Sequence, residues 1–146
     1  MLLHGPAWAL ESFVKSLQHS TEMKVRLAED GMYAAPGEIY VAPGDRHLII
    51  TPNRLKLRLV DDSPENYVRP SADPLLRSVS KAFGHYCIAT VMTGLGRDGA
   101  SGASHVAKAG GIVIAQEPAT AVAPSMPRTV IEMVLTTLPL FANLTN

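Results

Sequence analysis

The stretch that decides the fold runs from residue 88 to residue 115. It reads Ile88-Ala89-Thr90-Val91-Met92-Thr93, then Gly94-Leu95-Gly96-Arg97-Asp98-Gly99, then a small-residue segment Ala100 to Lys108, Gly110-Gly111, and Ile112-Val113-Ile114-Ala115. The spacing predicts a buried strand over Ile88 to Thr93, a glycine-rich turn, a helix over Ala100 to Lys108 and a second buried strand over Ile112 to Ala115. Two apolar strands joined by a helix make a parallel βαβ unit with a right-handed crossover.

Working outward, a polar loop over Asp61 to Pro70 leads to a helix from about Asp73 to Phe83, capped by Ser71 or Asp73 and ended by Gly84. Before the loop, Glu38 to Ala42, Arg46 to Thr51 and Leu55 to Val60 read as short antiparallel strands. Pro43-Gly44-Asp45 and Thr51-Pro52-Asn53 punctuate them. Lys24 to Ala28 is a further strand. Trp8, Leu10, Phe13, Val14 and Leu17 recur at helical spacing behind Pro6, which suits a helix start. The chain opens on a short apolar stub, Met1 to Leu3, and a last helix is expected from about Met126 to Met133. The fold class is therefore α/β, a mostly parallel sheet with a small antiparallel appendage.

Composition bounds the function. Thirteen Lys plus Arg balance thirteen Asp plus Glu over 146 residues, which argues against a nucleic-acid binder or a polybasic membrane-surface protein. The length suits one domain with a real core, and no apolar run is long enough to span a bilayer. The opening residues lack a basic region, so no signal peptide is read there, and the expectation is a soluble, cytoplasmic domain. A lone cysteine, Cys87, in an apolar setting reads as a buried thiol. The five histidines, His4, His19, His47, His85 and His105, show no metal-ligand spacing, so no metal site is expected.

The turn supports two readings. Gly94, Gly96 and Gly99 match G-x-G-x-x-G, and Glu117 follows the next strand where a dinucleotide fold places its ribose-binding acid. Against this, Asp98 would set a carboxylate among phosphates, and Pro118 follows Glu117 directly. The unit also lies late in the chain, with no room behind it for a second mononucleotide half. In the other reading the glycines shape a tight turn that presents Asp98 at the C-terminal end of a strand, where α/β sites lie. Ser101 only loosely resembles a nucleophile elbow, since Ala103 stands where glycine is required. His4 ends the apolar stub, so it too is expected at that edge. His4 and Asp98 then form a base and its orienting acid, or else two unrelated turn residues. No serine has an elbow context, and no nucleophile is visible. His47 is expected to close its turn by hydrogen bonding, and the other three histidines to lie at the surface.

Taken together, the segments resemble the catalytic domain of bacterial chemotaxis protein-glutamate methylesterases of the CheB type. The resemblance is carried by His4-Gly5-Pro6, by Ala28 to Gly31 and by Ile39-Tyr40-Val41-Ala42-Pro43-Gly44-Asp45-Arg46-His47. Arg69-Pro70-Ser71-Ala72-Asp73-Pro74-Leu75-Leu76-Arg77-Ser78-Val79 and Thr93 to Ala100 extend it. It ends with Ala109-Gly110-Gly111, Ile114 to Glu117 and Met126-Pro127-Arg128. It implies a mostly parallel doubly wound sheet with a β-hairpin, truncated at the N-terminus. It also implies hydrolysis of receptor glutamate γ-methyl esters, and glutamine deamidation, by a Ser-His-Asp triad.

By motif position His4 is the base and Asp98 its acid. Turn amides near Leu95 and Gly96 contribute to an oxyanion pocket, and Arg69 and Ser71 line or brace the site. The resemblance implies no cofactor, and it names methyl-accepting chemotaxis receptors as partners. The family's serine lies in a Gly-Ala-Ser-Thr-Gly-Gly-like turn upstream of the histidine, whereas this chain starts three residues before His4. Leu95 stands where the family usually has methionine and Ser125 where it usually has glycine, and the region after Met133 is shorter than usual.

Three functions follow as expectations. The chain is an N-terminally incomplete methylesterase domain over 1–146 without a receiver domain, an inactive receptor-binding relative, or a dinucleotide-binding fragment. An unpaired edge near Met1 to Leu3 predicts a homo-oligomer.

Overall fold

The computed structural model describes residues 1–53 and 55–137. Its elements are α1 (Ala7–Gln18), β1 (Lys24–Leu27), β2 (Glu38–Val41), β3 (His47–Thr51), β4 (Lys56–Val60), α2 (Ala72–Phe83), β5 (Ile88–Val91), α3 (Ala100–Lys108), β6 (Ile112–Ala115) and α4 (Ser125–Thr137). The fold is α/β, built on two parallel strand pairs and one antiparallel hairpin. β1 lies parallel to β2 with Lys24 opposite Glu38, and β5 lies parallel to β6 with Ile88 opposite Ile112. β3 and β4 form the hairpin, His47 facing Val60. The stub runs beside β2: the Ala42 N–H donates to the Met1 carbonyl at 2.9 Å, and the terminal ammonium of Met1 donates to the Tyr40 carbonyl at 2.6 Å.

Helix α2 joins the parts. Leu75, Leu76, Val79, Ala82 and Phe83 lie on its packed side. Leu75, Val79, Ala82 and Phe83 meet the cluster of Ala28, Ala42, Leu48, Ile50 and Leu57. Leu76 reaches two further clusters, one of Val91, Ala100, Ala103, Met126 and Val130 and one of Cys87, Ala89 and Val106. Ser71 caps the helix by accepting from the Asp73 N–H, and Gly84 ends it in the left-handed region at φ 54°. On the other side the Ile50 N–H of the hairpin donates to Ser78 Oγ at 3.0 Å.

Two expectations are corrected. Glu38 to Val41 does not join an antiparallel meander; it pairs in parallel with β1, and only β3 and β4 are antiparallel. Alternation of apolar residues follows from the pleat and is the same in both kinds of ladder, so it cannot report pairing direction. The strands of the βαβ unit are also not buried on both faces. Ala89 and Val91 pack inward, whereas Ile88 is 63% exposed and Ile112 56%. The remaining elements fall within a few residues of their expected limits, and α4 runs four residues past Met133.

Leu48, only 2% exposed, is among the most buried side chains of the hairpin cluster. Leu48→Ala is expected to cost about 2–5 kcal/mol. Val122→Ala, at a side chain 96% exposed, should change little. Urea unfolding of both variants checks this.

Candidate active site

His4 leaves the stub at the end of β2, and Asp98 leaves the turn after β5. Although 94 residues apart in sequence they meet, His4 Nε2 lying 2.7 Å from Asp98 Oδ2. The imidazole side chain is about one-third exposed, and the carboxylate is buried. With Nε2 turned to Asp98, Nδ1 is the ring nitrogen left to face a reacting group.

Asp98 is held by a dense set of donors. Ser71 Oγ donates to Oδ1 at 2.5 Å, the Ala72 N–H to Oδ2 at 2.7 Å, and Asn66 Nδ2 to Oδ1 at 3.2 Å. Because Ala72 opens α2, the carboxylate also lies on the positive end of that helix. Burial alone would push this carboxyl up. The hydrogen bonds from His4, Ser71 and Ala72 outweigh it, and the charge of His4 adds to them, holding it at about 2.

A second buried carboxylate, Asp73, stands beside it. Asp73 Oδ1 accepts from the Gly102 N–H of α3 at 2.6 Å, and Oδ2 accepts from Asn66 Nδ2 at 2.6 Å. Burial raises its pKa, with the charges of Asp98 and Glu65 adding to the effect and the bonds from Gly102 and Asn66 opposing it. Behind Ser71, His47 is buried. Its Nδ1 accepts from the Ser71 N–H at 3.0 Å, and its Nε2 donates to the Ser63 carbonyl at 3.1 Å.

The expected residues divide. His4, Asp98 and Ser71 are brought together. Arg69 is not in the group; its guanidinium braces the loop by donating to the carbonyls of Asp61 and Asp62, each at 3.3 Å. The Gly96 N–H donates to Ser125 Oγ at 3.0 Å, and that hydroxyl in turn donates to the Gly94 carbonyl at 3.2 Å. Of the two turn amides expected to face an oxyanion, that of Gly96 is therefore engaged. Among the described residues no hydrogen bond joins Leu95 or Gly96 to His4.

Cys87 is buried, and burial raises its thiol pKa. His19 and His105 bond carbonyls on their own helices, and His85 stacks on Tyr86. Sequence reasoning missed Asn66, and it read Asp73 only as a cap. Two signals were available: an aspartate in the first turn after an N-cap serine, and an asparagine in a polar loop.

The turn glycines have local causes. A Cβ at Gly94 would lie 2.2 Å from Met126 Sδ, and Gly96 and Gly99 have φ of 89° and 85°. The N-terminal end of α3, where a pyrophosphate would sit, is occupied by the Asp73 carboxylate, and Glu117 is exposed on a separate loop. The dinucleotide reading of Gly94, Gly96, Gly99 and Glu117 is set aside on these grounds. Among the described residues no three His, Cys, Asp or Glu side chains converge as metal ligands, and no helix is long and apolar enough to cross a membrane.

Comparison with known proteins bears on the family and the fold. The family model described as CheB methylesterase matches residues 1–142. A protein-glutamate methylesterase/protein-glutamine glutaminase of Azospirillum brasilense is 38% identical over 127 residues, covering 85% of this chain and 32% of the relative. One from Pyrococcus horikoshii is 38% identical over 134 residues, 90% of this chain and 36% of the relative. The chain thus spans about a third of the length of the curated relatives it matches. The crystal structure of the Thermotoga maritima CheB methylesterase catalytic domain superposes with a TM-score of 0.84 at 33% identity, over 93% of this chain and 78% of that one.

Asp98 is held near pH 2, below its ordinary value of 3.8, so its contribution to stability is complete above pH 3.8 and is lost as pH falls through 2. That contribution is about 2 kcal/mol. Ser71→Ala removes one donor, so it should raise the Asp98 midpoint and shrink the loss between pH 4 and pH 2. Urea unfolding across that range measures both.

Proposed function

The chain belongs to the CheB methylesterase family, and we propose that it carries the base and acid of a protein-glutamate methylesterase that also deamidates glutamine. The observation behind this reading is the 2.7 Å bond between His4 Nε2 and a carboxylate fixed in its charged form. A buried anion on Nε2 fixes the tautomer and stabilises the imidazolium that forms when Nδ1 takes a proton. The activated oxygen then attacks the side-chain carbonyl of a receptor glutamate methyl ester. His4 returns the proton to the leaving methanol, or to ammonia from a glutamine, and water hydrolyses the acyl intermediate in a second cycle.

The Ser71 hydroxyl is committed to Asp98. Among the described residues no hydroxyl bonds to His4. The reading therefore assigns the nucleophile to a serine turn of the Gly-Ala-Ser-Thr-Gly-Gly kind, which the family resemblance orders ahead of the histidine. The same observation favours a second reading, a relative that binds chemoreceptors without chemistry. In either case residues 1–142 act as one unit of a cytoplasmic chemotaxis protein whose partner is a methyl-accepting receptor.

Methanol release from methylated chemoreceptor decides between these. The chain is assayed as it stands and with such a serine turn fused ahead of Met1. Turnover is expected from the fused form, falling by roughly 10⁴–10⁶ in its His4→Ala variant. Receptor binding without methanol release from the fused form would establish the second reading.

The outer face of β5 and β6, with Ile88, Ile112 and Ile114 exposed, further supports a homo-oligomer. Sedimentation should show a dimer or larger species at micromolar concentration. A monomer throughout would remove that proposal.

A further inference from the structure

The segment Glu65 to Val68 is an unusual piece of backbone. Glu65 and Val68 close on each other through N–H···O bonds of 3.2 and 3.1 Å, and between them Asn66 and Tyr67 both have positive φ, 55° and 66°. Two consecutive non-glycine residues in the left-handed region cost of order 1–3 kcal/mol each. Asparagine tolerates that region better than most residues; tyrosine does not. The Tyr67 side chain is fully exposed, so its own packing does not repay the cost.

What the conformation achieves is the placement of one group. The Asn66 side-chain amide lies between the two buried carboxylates, 2.6 Å from Asp73 Oδ2 and 3.2 Å from Asp98 Oδ1. An external clamp holds the loop there. Arg77 of α2 donates to both carboxylate oxygens of Glu65, each at 2.6 Å, a bidentate pair of the strongest kind.

We propose that Asn66 is a positioning residue for the His4–Asp98 pair. Its NH2 group spends one N–H on each carboxylate, keeps both charged within one small buried volume, and fixes Asp98 with Oδ2 toward His4. Without it, two neighbouring buried carboxylates relieve their repulsion by taking a proton or by turning. Either response changes the acceptor that His4 Nε2 sees. The charged and titratable groups around the pair are His4 from the stub, Asp73 and Arg77 from α2, and Glu65 and His47 from the loop and β3. None of these can substitute for a neutral double donor. His47 is occupied by Ser71 and Ser63, and Arg77 by Glu65. The inference takes its significance from the methylesterase reading, but its test does not depend on turnover.

The decisive variant is Asn66→Gly. Glycine adopts the left-handed backbone without cost, so the amide is removed while the loop is not strained further. Carbon-detected NMR titration of the intact chain follows the carboxyls of Asp98 and Asp73. In the variant the proton affinity of Asp98 is expected to rise about tenfold, that of Asp73 to rise as well, and the His4 ring signals to move with Asp98. A folded variant with both carboxyl titrations unchanged would overturn the proposal, whatever its stability. Should the variant not fold, the wild-type protein decides. The two side-chain amide protons of Asn66 should be distinct, one following the Asp98 titration and the other that of Asp73; protons indifferent to both titrations would refute the assignment. An absence of methanol release from the form carrying the fused serine turn would count against the esterase reading and leave these titrations standing.

Discussion

Two buried carboxylates exchanged between two helix ends hold this molecule together. Asp98 stands just ahead of α3 yet accepts from the first N–H of α2, and Asp73 in the first turn of α2 accepts from the Gly102 N–H of α3. Each acid satisfies the unpaired amides and the positive end of the other's helix. Side by side, two helix N-termini repel one another and leave donors unmet; crossed carboxylates answer both problems at once. The arrangement works only if the carboxylates stay charged in a buried place, and Ser71, Asn66 and His4 serve that need.

The rest of the architecture is arranged around that exchange. Helix α2 packs toward the hairpin cluster through Val79 and Phe83 and toward the βαβ unit through Leu76. The two halves of the chain therefore share one helix, and His4 adds a second tie by crossing from the first half to the acid of the second. A pair that looks like chemistry is also structural cross-bracing. This is why Asp98 combines two properties that rarely go together, deep burial and a firmly ionised state.

How much of this was legible in the sequence depended on whether the signal was local. The ends of α2 and α3 could be read because capping and left-handed glycine are short-range effects, as at Ser71 and Gly84. The pairing of His4 with Asp98 was reachable because active sites of α/β folds gather at the C-terminal ends of strands, where both residues were expected. The partner of β2 was not legible, since alternation is blind to strand direction. Nor was the exposure of Ile88 and Ile112, because an apolar strand reads alike whether one face or both are covered. Asn66 lay in a polar loop without periodicity. Its role arises only when residues 66, 73 and 98 are brought together, a condition no window of sequence contains. The G-x-G-x-x-G match of Gly94, Gly96 and Gly99 misleads for a related reason. The same tight turn serves a phosphate or a carboxylate, and here the helix end it opens is already filled from within by Asp73.

The placement of charge also constrains how the base can work. Asp98 Oδ2 already takes the Ala72 N–H, so its approach to His4 is fixed in direction, and the imidazole presents Nε2 to it. A ring tied at Nε2 directs Nδ1 away from the carboxylate, so a reacting hydroxyl must come from the side of the ring opposite Asp98. Ser71 lies on the carboxylate side and is excluded by position as well as by its bond. On the function proposed above, the nucleophile would therefore approach His4 from its Nδ1 side, away from Asp98. On the same reading, the acid can remain rigidly part of the fold while only the far side of His4 would meet a substrate.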